Sequence, residues 1–202
     1  MAKTLQDIRL QLQRGEVTSE QLVEEALASV SSSEGQGDKT FIKVYGDKAM
    51  VQAKAIDQVR KSGVELHPLA GIPISIKDLF DVAGEITLSG SIVRRKSVPA
   101  KSDAHIVSKL RAAGAILIGR TNMTEFAFSG LGINPHYGTP LNPWDRKMGR
   151  IPGGSSSGAA ISVTDNMAAA AIGTDTGGSV RIPSALCGLT GFKPTAVRVS
   201  KE

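Results

Sequence analysis

Apolar residues near the start of the chain, Leu5, Ile8 and Leu12, recur at helical spacing. Thr18 and Gln21 stand at capping-box spacing and open a second predicted helix through Leu22, Val23, Ala26, Leu27 and Val30. The polar, Ser- and Gly-rich stretch 31–39 reads as a loop. Residues 41–45 alternate as a strand does, and Asp47 is placed to cap a helix carrying Ala49, Ala53, Ile56 and Val59. Past His67 the pattern changes. Leu69-Ala70-Gly71-Ile72-Pro73-Ile74-Ser75-Ile76 is an apolar run that predicts a buried strand ending at Lys77-Asp78. Asp103 is placed to cap a helix with Ile106, Val107, Leu110 and Ala113, Gly114 closes it, and Ala115-Ile116-Leu117-Ile118 predicts a second buried strand. Strand, helix and strand in alternation predict an α/β fold whose sheet is covered by helices on both faces.

The second half is less periodic. Residues 129–157 form a long Gly-, Pro- and Asn-containing loop, and a loop of that length inside a domain is more often functional than idle. An Ala-rich segment, 159–171, precedes a glycine-dense turn, 173–179. No repeat or shift in composition marks a boundary. The expected organisation is one structural domain, with an N-terminal helical region, 1–66, packing on a core, 67–202.

Composition narrows the function classes. Hydrophobic residues make up 41% of the 202 and charged residues 21%, which argues against wholesale disorder. Aromatics are only 4% while Gly numbers 22, so Ala, Val, Ile and Leu must build the core around many tight turns. The net charge of +5 is scattered, its densest cluster being Arg94-Arg95-Lys96, and no basic stripe with interleaved aromatics predicts nucleic-acid binding. The lone Cys187 excludes an internal disulfide and fits a reducing compartment. His67, His105 and His136 have no metal-ligand spacing, so no metal and no cofactor is expected. Neither the N-terminus, 1–7, nor the apolar segment 167–172 reads as a signal or a membrane span. The expectation is a soluble, cytoplasmic protein.

Three features carry chemistry. Gly153-Gly154-Ser155-Ser156-Ser157-Gly158 has the composition of a flexible linker, yet it lies between a Pro-bounded loop and an apolar segment. Glycines there fit a backbone held beside a ligand. Gly173-Thr174-Asp175-Thr176-Gly177-Gly178-Ser179-Val180-Arg181 lets several backbone N–H groups converge, as in an anion nest or an oxyanion hole with Ser179 beside it. It lacks the Lys-Ser/Thr pair of a phosphate loop. A turn capped by Ser179 is the plainer alternative. Lys77 ends an apolar run, and burial would lower its pKa and make it a base. A lysine whose head reaches water is the plainer alternative there. A nucleophilic serine needs a base. His67 precedes Pro68 in a turn and His105 opens a helix, which leaves Lys77 and His136 as candidates; a Ser-Lys arrangement is a known variant of such chemistry.

With these residues the segment 71–200, about two-thirds of the chain, resembles the amidase signature family. The two glycine-framed runs are similar to its defining signature. Gly71-Ile72-Pro73-Ile74-Ser75-Ile76-Lys77-Asp78, Gly119-Arg120-Thr121-Asn122-Met123, Asn142-Pro143-Trp144-Asp145 and Gly191-Phe192-Lys193-Pro194-Thr195 match in order. The resemblance implies a mixed β-sheet core and a Ser-Ser-Lys triad, with Ser179 as nucleophile, Ser155 as a relay on a cis peptide, and Lys77 as base. The serines stand 24 positions apart, the family's spacing. It also implies an oxyanion hole from the N–H groups of Thr176, Gly177, Gly178 and Ser179, and a substrate-lining loop around Ala127 and Ser129. The implied activity is hydrolysis of a linear, small-molecule carboxamide through an acyl-enzyme. Two further roles stay open: the amidase subunit of a tRNA-dependent amidotransferase, and an inactive truncated fragment acting through association. Ser157 stands where family members often carry Gly, and Ala196-Val197 where Tyr/Phe-Gly is usual. Family domains are commonly more than twice this long. The expectation is therefore a truncated fold lacking the family's C-terminal part, with a second copy or a complementary chain as partner.

Overall fold

The structure, a computed structural model, describes residues 4–200. The readings that touch positions 1–3 and 201–202 lie outside them. Helix α1 (Leu5–Arg14) and helix α2 (Ser19–Ser31) each start at a full capping box, Thr4 with Asp7 and Thr18 with Gln21. The expected loop before residue 40 instead ends in a single turn, α3 (Gly37–Thr40). It is followed by strand β1 (Phe41–Val44) and helix α4 (Gly46–Lys61). Asp47 lies inside the first turn of α4 and makes no capping hydrogen bond among the described residues; Tyr45 holds the cap position.

Strand β2 (Pro73–Lys77), helix α5 (His105–Ala112) and strand β3 (Ile116–Thr121) form the parallel unit that the alternation predicts. The expected strand start at Leu69 is too early, because residues 68–71 turn back so that the Gly71 N–H donates to Gly114 O. Asp103 does not cap α5. Its carboxylate accepts from the Ala83 N–H at 2.8 Å and pairs with Arg111 at 3.3 Å. The Ala-rich segment divides into helix α6 (Ser157–Thr164) and a short strand β4 (Ala170–Ile172), and helix α7 (Arg181–Leu186) closes the core.

The sheet order is β1-β3-β2-β4, with β1 antiparallel and the other three parallel. The sheet is therefore mixed. Two clusters bury its faces. Ile72, Ile74, Ile76 and Leu117 pack with Val107 and Leu110 of α5 and with Ile8 and Leu12 of α1. Ile116 and Ile118 pack on the other face with Val23 and Ala26 of α2 and with Ala49 and Ala53 of α4. Helix α6 covers this second face at β2, where Ser75 and Ser162 share a buried 2.8 Å hydrogen bond. Helices thus lie on both faces, and the alternation of β2 puts Lys77 on the α6 side with Ser75. No helix among the described residues is long and apolar enough to cross a membrane.

From β2 the chain crosses through α5 on one face to β3, and from β3 it crosses back through α6 on the other face to β4, on the far side of β2. The carboxyl end of β2 therefore lies at a switch point, the place where open α/β sheets hold ligands. Ile118 is fully buried between β3 and the α2–α4 pair. Ile118→Ala should lower unfolding stability by about 2–5 kcal/mol, read from denaturant melts; an unchanged midpoint would remove this cluster from the core.

Candidate active site

Lys77 is the last residue of β2, and none of its surface is exposed. An ammonium there loses its hydration, so burial pushes the amine down to about 7, with the negative charge of Asp175 working the other way. Its Nζ donates to Ser155 Oγ at 2.7 Å and to Thr174 Oγ1 at 2.8 Å. Among the described residues it forms no salt bridge. The structure thus pairs Lys77 with Ser155, and the alternative in which the lysine head reaches water does not hold. His136 lies elsewhere, 3.0 Å from Glu125.

Ser155 is fully buried, and the Gly154–Ser155 peptide is cis. Its carbonyl accepts from the Thr124 N–H at 3.1 Å, while the Gly154 N–H donates to Gly130 O at 2.8 Å. The segment 124–130 therefore clasps the Ser155 turn from both sides. Gly154 is required by space: a Cβ there would lie 2.6 Å from the Gly132 nitrogen and 2.8 Å from Thr124 Oγ1. A flexible linker is excluded by this packing. Ala127 and Ser129 both sit in this clasp, Ala127 at a backbone φ of 58°. The Ser129 hydroxyl accepts from the Leu131 N–H, and neither residue bonds to Lys77 or to the two serines.

Ser179 is joined to the same turn through the backbone, since the Ser156 N–H donates to Ser179 O at 3.2 Å. Its hydroxyl makes no hydrogen bond among the described residues. Ser179 is not a cap for α7, as the plainer alternative has it. Asp175 does that work: its Oδ2 accepts from the N–H groups of Val180 and Arg181 at 3.1 and 3.2 Å. The Arg181 guanidinium forks onto the same carboxylate at 3.0 and 2.8 Å, which holds Asp175 well below the usual carboxylate range. With both ends tied, the loop between them presents its backbone. The N–H groups of Thr176, Gly177, Gly178 and Ser179 donate to no acceptor among the described residues. Gly178 sits at φ 136°, where a side chain is strained and would meet Ile182 at 2.8 Å.

The site is built from loops at the carboxyl ends of β2, β3 and β4, three parallel neighbours. Sequence reasoning assigned no role to Thr174 or to the Asp175–Arg181 pair. The available signal was a polar residue fixed among glycines and alanines. Among the described residues no group of three His, Cys, Asp or Glu side chains could hold a metal ion.

A protein-family model described as Amidase matches residues 21–202. The chain belongs to the amidase family. It is 43% identical to a glutamyl-tRNA(Gln) amidotransferase subunit of Chromohalobacter salexigens, over 98% of this chain and 40% of that one. It is 42% identical to AtzE, a 1-carboxybiuret hydrolase subunit of a Pseudomonas species, over 93% of this chain and 40% of the relative. The native peptide amidase of Stenotrophomonas maltophilia superposes with a TM-score of 0.86 at 35% identity, over 99% of this chain and 42% of that one. The chain spans about 40% of the length of the relatives it matches.

The tight clasp around Ser155 has a direct test. Gly154→Ala should force the Ser155 turn away from Gly132 and Thr124. Unfolding stability should fall by about 1–3 kcal/mol in denaturant melts, as overpacking a filled site does. An unchanged midpoint would show that the clasp is not packed against Gly154.

Proposed function

We propose that this chain carries the catalytic core of an amidohydrolase that cleaves a linear carboxamide C–N bond. The observation that carries the reading is the buried Lys77 amine 2.7 Å from Ser155 Oγ, with no salt bridge among the described residues. With its pKa near 7, Lys77 is neutral in a large fraction of molecules at physiological pH and can accept a proton.

The steps follow. Ser179 Oγ attacks the carbonyl carbon while its proton passes to Ser155, and the Ser155 hydroxyl proton passes to Lys77 Nζ. The carbonyl oxygen becomes an oxyanion and takes up the N–H groups of Thr176 to Ser179. Such donors contribute most when they are fixed beforehand, and the Asp175–Arg181 fork fixes this loop. The proton returns along the same path to the leaving nitrogen, the C–N bond breaks, and an acyl-enzyme on Ser179 remains. Water then attacks it by the reverse proton path and frees the acid. Ala127 and Ser129 line the side on which the substrate enters. Nothing in these steps calls for a cofactor.

A second reading, the amidase subunit of an amidotransferase, is favoured by the relative that bears that name at 43% identity. Both curated relatives are named as subunits, which supports a complementary chain as partner. Glutamine-specific ammonia release and co-purification with a tRNA-binding partner would favour the second reading; turnover of simple amides without a partner would favour the first. A cytoplasmic location is supported by the lone Cys187, buried with its thiol donating to Pro152 O.

A fluorophosphonate should label the protein at Ser179, and Ser179→Ala should lose both labelling and hydrolysis by about 10⁴-fold. Undiminished hydrolysis in Ser179→Ala would sink the mechanism. The pH dependence has a definite sign. The base form of Lys77 is the neutral one, so kcat/KM should climb with pH through about 7 and level off above it. A profile that is flat from acid to alkaline pH, or that falls as pH rises through neutrality, would remove Lys77 as base.

A further inference from the structure

Beside the catalytic lysine lies a second buried charge that the reaction steps do not use. Asp78 follows Lys77 directly and is fully buried. Arg120, 1% exposed, donates from Nε to Asp78 Oδ1 at 2.7 Å. The sheet brings them together through a one-residue shift in register. Ile74 pairs with Leu117 but Ser75 pairs with Gly119, so Ile118 is skipped and Arg120 falls opposite Ile76. Without the shift Arg120 would share the face of Ile116 and Ile118, across the sheet from its partner.

We propose that the Arg120–Asp78 ion pair is a positioning device that sets the Lys77–Ser155 separation. This inference rests on the reading of Lys77 as base. Connectivity carries it. The Asp78 N–H donates to Thr121 O at 3.1 Å, which anchors the end of β2 to β3 one residue past Lys77. Asp78 also holds the next turn: its carbonyl accepts from the Ser89 N–H at 2.9 Å and its Oδ2 from the Gly90 N–H at 3.2 Å. That turn is held in a left-handed backbone, with φ 56° at Ser89 and 68° at Gly90. Ser89 O then accepts from the Phe126 N–H at 2.9 Å. Phe126 lies two residues past Thr124, whose N–H holds Ser155 O. Both ends of the Lys77–Ser155 hydrogen bond therefore trace back to one residue, Asp78, whose backbone holds β3 and Ser89 and whose carboxylate holds Gly90.

Arg120 fixes that carboxylate in turn. Its Nη2 donates to Phe80 O at 2.9 Å and to Thr87 Oγ1 at 3.2 Å, and Nη1 lies 3.6 Å from Glu85. A planar fork with several fixed acceptors specifies an orientation, which a lysine in its place cannot. Stability gives a poorer account of the pair, because a buried ion pair is often replaced by apolar residues at no loss.

The test uses three variants of the purified protein. Asp78→Asn combined with Arg120→Gln removes both charges at nearly constant shape, Arg120→Lys keeps the charge but loses the fork, and Lys77→Ala removes the base. Fluorophosphonate labelling of Ser179 and ammonia release from the best amide of a primary-amide screen are read beside a thermal melt. A positioning role predicts folded variants in which kcat falls by about 10- to 100-fold with KM within about twofold, and Arg120→Lys no better than the neutral pair. Folded variants with wild-type kcat, or a loss confined to KM, would overturn the proposal. Failure of both Arg120 variants to fold would also overturn it, since the pair would then serve the fold alone. Lys77→Ala separates the two readings. If it hydrolyses amides normally, the base assignment fails. If it is inactive while the neutral pair is fully active, only the positioning role fails.

Discussion

The site depends on keeping one amine out of water without giving it a carboxylate. Lys77 ends a strand whose five residues are all buried, and the only hydrogen-bond partners of its amine among the described residues are two hydroxyls, Ser155 and Thr174. A carboxylate in contact would hold the charged form and deprive the amine of the neutral form that the proposed base needs. Asp175 is the carboxylate best placed to do so, and Arg181 occupies both of its oxygens. Its remaining pull on Lys77 is weaker than the effect of burial. The fork thus has two consequences. It shapes the loop before α7, and it neutralises the charge that would otherwise hold a proton on Lys77.

Such a dry site must be walled by chain that is itself satisfied, and much of that wall has no regular structure. Three buried asparagines order it. Asn122 donates to Lys39 O and Gly138 O and accepts from the Met123 N–H. Asn134 donates to Gly90 O and Met123 O and accepts from the N–H groups of His136 and Tyr137. Asn142 donates to Ile151 O and Leu186 O and accepts from the Trp144 N–H. An amide side chain offers two donors and an acceptor, so each one substitutes for a stretch of backbone ladder. The long loop can therefore pack like a structured element while following the contour of the Ser155 turn.

The parts of this arrangement legible in the sequence are those set by local rules. The apolar runs at β2 and β3 announce buried strands, Thr18 with Gln21 announces a helix start, and the two glycine-framed serine runs announce a backbone under close constraint. Other parts answer to tertiary contacts. The Ala-rich segment has one composition and two structures, because Ala suits both the close approach of α6 to β2 and the small strand β4. Asp47 and Asp103 satisfy the local rule for caps, yet Asp103 is drawn to Ala83 and Arg111 instead. Arg120 and Asp78 were least legible, since charged residues read as surface. Only the register shift in β3, invisible in the periodicity, brings them inside together.

The likeness to two kinds of enzyme acquires a physical meaning from this layout. Relatives from a hydrolase and from an amidotransferase match the chain at 42% and 43% identity, so the chain is equally near to both. The groups proposed for the reaction are confined: Lys77 and Ser155 by the strand and the clasp, the Ser179 loop by the Asp175 fork. Residues of the clasp that face outward are freer, and Phe128 is 92% exposed beside the half-buried Ala127 and Ser129. A change at Phe128 alters the surface around the Ser155 turn without touching a hydrogen bond of the lysine. The groups around Lys77 are thus held by burial and hydrogen bonds, whereas the Phe128 side chain lies outside the core.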